Sequence, residues 1–304
     1  MSYTSESTFD PSVKIMRVRE LIELLGYKRN KDGLKVPGRI QGYFWYDRTD
    51  YRSWSGVELD LYQAESGSVV VGTRSTVSRS YWDLTHQNRT IKLLRDAFGG
   101  TFHTGEGKSR YLRPGSGPPA PVSSGCFLAR WGFKNSFMRS QIYLMSRKLE
   151  GDVAREKATG LTFMDALNPR LLSNNLLVPY MLAVWEEYFR ATFTACLRYS
   201  KQREGALKRA RLSHAALEEL AVGSVQVERS VAEFFAFQRP SSIAEAFRLL
   251  DPKLDLAAPM KRPYRKRKLG LYESIESLVE GRNRLVHEGE LDMTLYDAQL
   301  KRVG

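Results

Sequence analysis

The chain has four histidines (His86, His103, His214 and His287) and two cysteines (Cys126 and Cys196) in 304 residues. No two histidines stand at metal-ligand spacing on a helix and no Cys/His cluster exists, so no metal site and no cofactor are expected. A Gly-x-Ser-x-Gly elbow is absent, which removes an α/β-hydrolase triad. The glycines of Thr104-Gly105-Glu106-Gly107 lack phosphate-loop spacing and read as a hairpin turn. Asp83, His86, His103 and Glu106 flank one predicted helix and read as capping and surface groups. The remaining chemistry is metal-free and sits in Arg282-Asn283-Arg284-Leu285-Val286-His287. A neutral imidazole can take a proton near pH 7. A guanidinium offers two parallel donors to phosphoryl oxygens as charge develops. An amide can orient either partner. These three types suit a strand that carries its own nucleophile, the ribose 2′-hydroxyl.

The motif needs a helix to present it. Leu269, Tyr272, Ile275, Leu278 and Val279 recur at three- and four-residue spacing, the apolar face of an amphipathic helix. Gly281 is expected to interrupt that helix and Gly289 to end it. At about 100° per residue, Arg282 and His287 lie roughly 140° apart around the axis, whereas Asn283 and His287 share a face. Either the helix unwinds near Gly289, or Arg282 works across to a second copy.

The spacing of an arginine four to seven residues before a histidine also occurs at Arg209–His214 and Arg79–His86. Only the 282–287 copy has a polar residue second, an apolar pair before the histidine, and a core-facing helix leading into it.

Upstream, Asp10-Pro11 predicts a first helix with Val13, Met16, Leu21, Leu24 and Leu25 as its buried stripe. Residues 39–74 predict strands, with Val57, Leu59 and Leu61 alternating against polar neighbours, Glu65-Ser66-Gly67 as the turn and Val69-Val70-Val71 as the return strand. Ser80–Phe98 predicts a helix closed by Gly99-Gly100. The Pro/Gly-rich stretch from Arg113 to Gly125 cannot continue a regular element and marks a boundary. The expected division is an α+β domain over 1–112, a linker over 113–130 and an all-helical bundle over 131–304. Within the bundle, helices are expected at 136–149, from Asn174 or Asn175 to about Tyr199, and at 206–221, 225–237 and 241–250. A start near Asn175 would keep Pro179 in the first turn. Residues 251–263 are expected to form a loop. Short connections suit an antiparallel arrangement.

The net charge is +13 and hydrophobic content 42%. That supports a sizeable core and a polyanionic partner, since cations that displace counterions from phosphates gain affinity. Lys261, Arg262, Arg265, Lys266, Arg267 and Lys268 place six cations in eight residues. With Arg284 they are the expected RNA contacts. Lys201, Arg203, Lys208, Arg209 and Arg211 form a second cluster. No run of about 18 apolar residues exists, so no membrane span is expected. The polar start, with Glu6 and Asp10, does not read as a secretion signal, and a cytoplasmic location is expected.

Arg282-Asn283-Arg284-Leu285-Val286-His287 resembles the signature of the HEPN superfamily: an arginine, a polar residue, two to four further residues and a histidine near a helix end. The resemblance covers the helical half only, about residues 130–300. It implies an all-helical bundle that forms a homodimer, with two motifs meeting as one metal-independent endoribonuclease site. Cleavage would leave a 2′,3′-cyclic phosphate, with His287 as base, Arg282 stabilising the transition state and Asn283 orienting. The family also implies a toxin or antiphage defence role with a possible antitoxin or defence-system partner. An acidic residue on an earlier long helix often joins such sites. Trp185-Glu186-Glu187-Tyr188 resembles that segment, with Glu186 preferred over Glu187; a plain Glu186–Arg190 surface pair is the competing reading. The N-terminal half would sense a trigger or grip RNA. The alternative is a non-catalytic HEPN protein that binds nucleotide or RNA, or acts in protein interaction.

Overall fold

The computed structural model describes residues 2–30, 37–147, 157–263 and 270–296. It divides the chain into two compact units, Met1–Ser124 and Gly125–Gly304. No helix among the described residues is long and apolar enough to cross a membrane.

The first unit is an antiparallel seven-stranded sheet with two helices. In chain order its elements are β1 (Tyr3–Phe9), α1 (Ile15–Leu24), β2 (Lys28–Asn30), β3 (Arg39–Trp45), β4 (Val57–Gln63), β5 (Val69–Ser75), α2 (Tyr81–Phe98), β6 (Thr101–Thr104) and β7 (Gly107–Lys108). The strand order is β2-β3-β4-β5-β1-β6-β7. The expected alternation holds on β4: Val57, Leu59 and Leu61 are buried, and Leu61 pairs with Val71 of β5.

The sequence reading missed β1, which lies between β5 and β6. Of its buried residues, Phe9 is apolar but two are polar. Ser5 and Ser7 are buried, and Ser5 Oγ lies 2.5 Å from Thr73 Oγ1. Gln87 of α2, itself fully buried, donates to Thr73 Oγ1 and to the Tyr3 carbonyl and accepts from Ser75 Oγ. A polar strand is tolerated because a side chain on the helix above satisfies its groups.

The first helix also starts later than expected. Asp10 Oδ1 accepts from the Ser12 backbone N–H in a turn, and the helix begins at Ile15. Val18 and Ile22 are buried, whereas Met16 and Leu24 of the predicted stripe are 68% and 83% exposed. In contrast, α2 begins as read. Ser80 and Asp83 form a capping box, and Asp83 Oδ2 also accepts from the Trp54 and Ser55 backbone N–H groups.

The second unit is all-helical: α3 (Pro121–Ser146), α4 (Thr162–Ala166), α5 (Pro169–Tyr199), α6 (Arg203–Arg209), α7 (His214–Ala221), α8 (Val227–Phe234), α9 (Pro240–Arg248), α10 (Ala257–Lys261) and α11 (Leu271–Glu288). The expected linker is therefore helical from Pro121 onward. Proline is tolerated at a helix start because the N–H it lacks has no helical partner there. The α5 helix begins at Pro169, capped by Asn168 Oδ1, and Pro179 lies well inside it. The expected 206–221 helix is two helices, α6 and α7, and the expected 251–263 loop contains α10.

Two apolar clusters hang on α5. One joins Phe189, Phe193 and Leu197 to Val231, Phe237 and Phe247; the other joins Val178, Met181 and Leu182 to Ile275, Val279 and Leu295.

His86 of α2 stacks on Trp45, with ring centroids 3.7 Å apart and planes 5° from parallel. Burial pushes its imidazole down to about 4, helped by Arg89 and opposed by Asp47. Its Nε2 is buried without a hydrogen-bond partner among the described residues. A histidine depressed from 6.5 contributes stability in full above pH 6.5 and loses it as pH falls through about 4. The contribution is on the order of 3 kcal/mol. Denaturation midpoints measured from pH 7 to 4 should fall for the wild-type chain. In His86→Phe, which keeps the stack without the proton site, they should fall less. Identical pH profiles would show that His86 does not carry the effect.

Candidate functional site

The motif helix is built from its buried side outward. Ile275 and Val279 of α11 are buried against Val178, Met181 and Leu182 of α5. Gly281 does not interrupt the helix, which continues to Glu288. A Cβ at Gly281 would meet nothing within 4 Å, so the position is open rather than packed. The stop at Gly289 is as expected: its φ is +71°, and its N–H donates to the Leu285 carbonyl while Glu290 N–H donates to Arg284.

Arg282 and Asn283 are half-buried, and Arg284 and His287 are exposed. Arg282 Nη1 donates to Asn283 Oδ1 at 3.0 Å. None of Arg282, Arg284 and His287 forms an ion pair with a described residue. Arg282 faces a cleft of about 210 Å³ walled by Asn175, Val178, Leu285 and Asp292, and neither Asn283 nor His287 lines it. Because the helix is continuous through residue 288, unwinding before Gly289 is not available to bring Arg282 and His287 together.

The other copies of the spacing separate here. Arg209 ends α6 and His214 opens α7, so they are on different helices. Arg79 precedes α2, and His86 is the buried stacking residue. Only the 282–287 copy lies on one helix with its histidine exposed.

Glu186 is placed elsewhere. Its carboxylate accepts from Arg190 at 2.5 Å and from Gln238 Nε2 at 3.3 Å. Arg239, next to Gln238, pairs with Glu276 near the start of α11. Glu276 and His287 are eleven residues apart, about 16 Å along a helix axis. Within one chain Glu186 therefore sits at the opposite end of α11 from His287. Glu187 is held by Arg229 at 2.8 Å and by Arg190 at 3.2 Å. Partial burial opposes ionisation of its carboxyl, but the two guanidiniums outweigh that and hold it below its ordinary value.

Of the basic stretch, Lys261 stacks its ammonium 4.9 Å over the Tyr272 ring, and Arg262 is exposed. Arg265, Lys266, Arg267 and Lys268 lie outside the described residues. Pro263 and Gly270, which flank them, are paired. Among the described residues no group of three or more His, Cys, Asp or Glu side chains could hold a metal ion.

Sequence reasoning missed the role of two asparagines, Asn175, which lines the Arg282 cleft, and its neighbour Asn174. Asn175 Nδ2 donates to the Leu171 and Asp292 carbonyls, and its Oδ1 accepts from Asp292 N–H at 2.7 Å. Asn174 Nδ2 donates to the Leu295 carbonyl, and its Oδ1 accepts from the buried Arg147. The available signal was an Asn-Asn pair inside the apolar run of α5. Comparison of the chain with known protein families, with curated proteins and with solved structures found no match.

Asn175→Ala should lower stability by about 1–3 kcal/mol, because it strands the Asp292 backbone groups without partners. Urea denaturation reads this as a lower midpoint at unchanged slope. An unchanged midpoint would mean that the 292–295 segment is not held by this contact.

Proposed function

We propose that the chain is a metal-independent endoribonuclease whose site is completed by a second copy, giving a 2′,3′-cyclic phosphate product. The observation that carries the reading is the end of α11. An exposed His287, an Arg282 without a carboxylate partner among the described residues and an Asn283 that orients Arg282 lie on one continuous helix. An unpaired guanidinium keeps its donors for phosphoryl oxygens, and a solvent-facing imidazole can reach a ribose hydroxyl. His287 takes the 2′-hydroxyl proton as the 2′-oxygen attacks phosphorus. Arg282, supplied across the two-fold, neutralises charge on the phosphoryl oxygens, and the 5′-oxygen leaves with the P–O electron pair and takes a proton from water. Lys261, Arg262 and Arg284 add cationic contacts for the strand. The HEPN resemblance would place such an activity in a toxin or antiphage setting, with an antitoxin or defence-system partner.

A second reading is favoured by one observation: Glu186 is held by Arg190 and Gln238, away from His287. The face would then bind RNA or nucleotide without cutting it. One assay separates the two. Single-stranded RNA incubated with the chain in EDTA should be cleaved to cyclic-phosphate ends. His287→Ala should lower the rate by about 10²–10⁴ while leaving the melting curve intact. RNA bound but uncut by wild type supports the second reading, and cutting by His287→Ala at the wild-type rate removes His287 from the chemistry.

A further inference from the structure

The N-terminal sheet carries a surface that the motif does not use. Phe44 and Tyr46 are two residues apart on one strand line, and alternation sends both side chains to the outer face. Trp45, between them, turns inward onto His86. The two outer rings are 37% and 39% exposed, 18° from parallel, with centroids 6.3 Å apart. Gly56, at φ +71°, leaves room for the first ring; a Cβ there would fall 2.6 Å from Phe44.

Cations border the rings on one side. Lys28 is the cross-strand partner of Phe44, and Arg29 and Arg48 line the same cleft of about 970 Å³. Lys28 and Arg48 form no ion pair with a described residue, whereas Arg29 pairs with Glu23 at 2.8 Å. Ser55 also lines the cleft, and its buried hydroxyl has no hydrogen-bond partner among the described residues. On the other side, Glu58 is the cross-strand partner of Phe44 on β4, and Asp60 follows two residues later. Glu58 pairs with Arg74 at 3.9 Å and Asp60 with Arg39 at 3.1 Å, so among the described residues the cations Lys28 and Arg48, which have no ion pair, put the uncompensated positive charge at the β2–β3 end.

We propose that this cleft binds single-stranded nucleic acid, with successive bases on Phe44 and Tyr46 and the backbone along Lys28 and Arg48. Side-by-side exposed aromatics bordered by cations recognise unpaired bases without reading their sequence. An acidic peptide would satisfy the cations but leave both ring faces unused. A duplex keeps its bases stacked inside and offers the rings nothing.

The inference does not rest on the cleavage reading, and its test removes cleavage. Binding of a fluorescent twelve-nucleotide oligouridylate is measured on the full chain carrying His287→Ala, with oligodeoxythymidylate, a duplex of the same length and a polyglutamate peptide as competitors. Phe44→Leu with Tyr46→Leu keeps apolar bulk over Gly56 and removes the π faces. It should weaken oligouridylate binding about tenfold or more. Lys28→Glu with Arg48→Glu alters only exposed side chains. It should weaken binding and make the salt dependence shallower by about 0.7 in log–log slope for each phosphate the protein no longer neutralises. Better competition by oligouridylate than by oligodeoxythymidylate assigns the cleft to RNA, and equal competition assigns it to either strand chemistry. Both support the proposal. Wild-type affinity in the two-leucine variant, or competition by duplex or polyglutamate as strong as by the single strand, overturns it.

Discussion

Everything in the helical unit depends on α5 staying continuous past Pro179. A proline inside a helix removes one backbone hydrogen bond and crowds the carbonyl four residues back, at a cost of about 3 kcal/mol. The helix keeps its course because of what it buries on both sides of the proline. Val178 before it and Met181 and Leu182 after it lie in one cluster, and Phe189, Phe193 and Leu197 lie in the other. Each such side chain contributes roughly 1.5–3 kcal/mol on burial, so six of them outweigh one missing hydrogen bond. A break at Pro179 would split the surface that seats α11, parting Val178 from Met181 and Leu182.

The two units meet polar burial in the same way. In the first unit, Gln87 and Asp83 reach from α2 to the sheet and to the 54–55 backbone, so one helix satisfies groups from several strands and a loop. In the second, Asn174 and Asn175 do the same for a segment more than a hundred residues away. Both solutions put amides and carboxylates where an apolar core is expected. Both leave the groups of the reactive type, Arg282 and His287, outside these networks.

How much was legible follows from the same physics. Period-two alternation in β4 and the capping box at Ser80 are local signals, and both were readable. The Gly289 stop was readable because a left-handed residue at a helix end favours glycine. The central strand β1 was not, since buried Ser5 finds its partner in Thr73, which Gln87 in turn joins from α2, both far off in the chain. The start of α5 was misplaced for a related reason: Pro179 argues for a helix start locally, and the packing that overrides it comes from α11 and Leu295. Gly281 likewise signals a break by propensity, yet on an open helix face it costs only about 1 kcal/mol relative to alanine. The motif's residue types were readable. So was the angle of about 140° between Arg282 and His287 on a helix; that the helix stays unbroken to Glu288, with Glu186 toward its other end, was not.

The contacts of Asn174 and Asn175 also set an order in time. Asp292 and Leu295 lie 117 and 121 residues after the asparagines that hold them. Domains fold as they are synthesised, with earlier segments first, and contacts of long sequence separation form late. On a growing chain, α5 therefore emerges before Ile275, Val279 and Leu295, which cover part of its Val178–Leu182 surface. The helix that bears Arg282 and His287 is made and docked after α5, so the nascent chain carries α5 before it carries that pair.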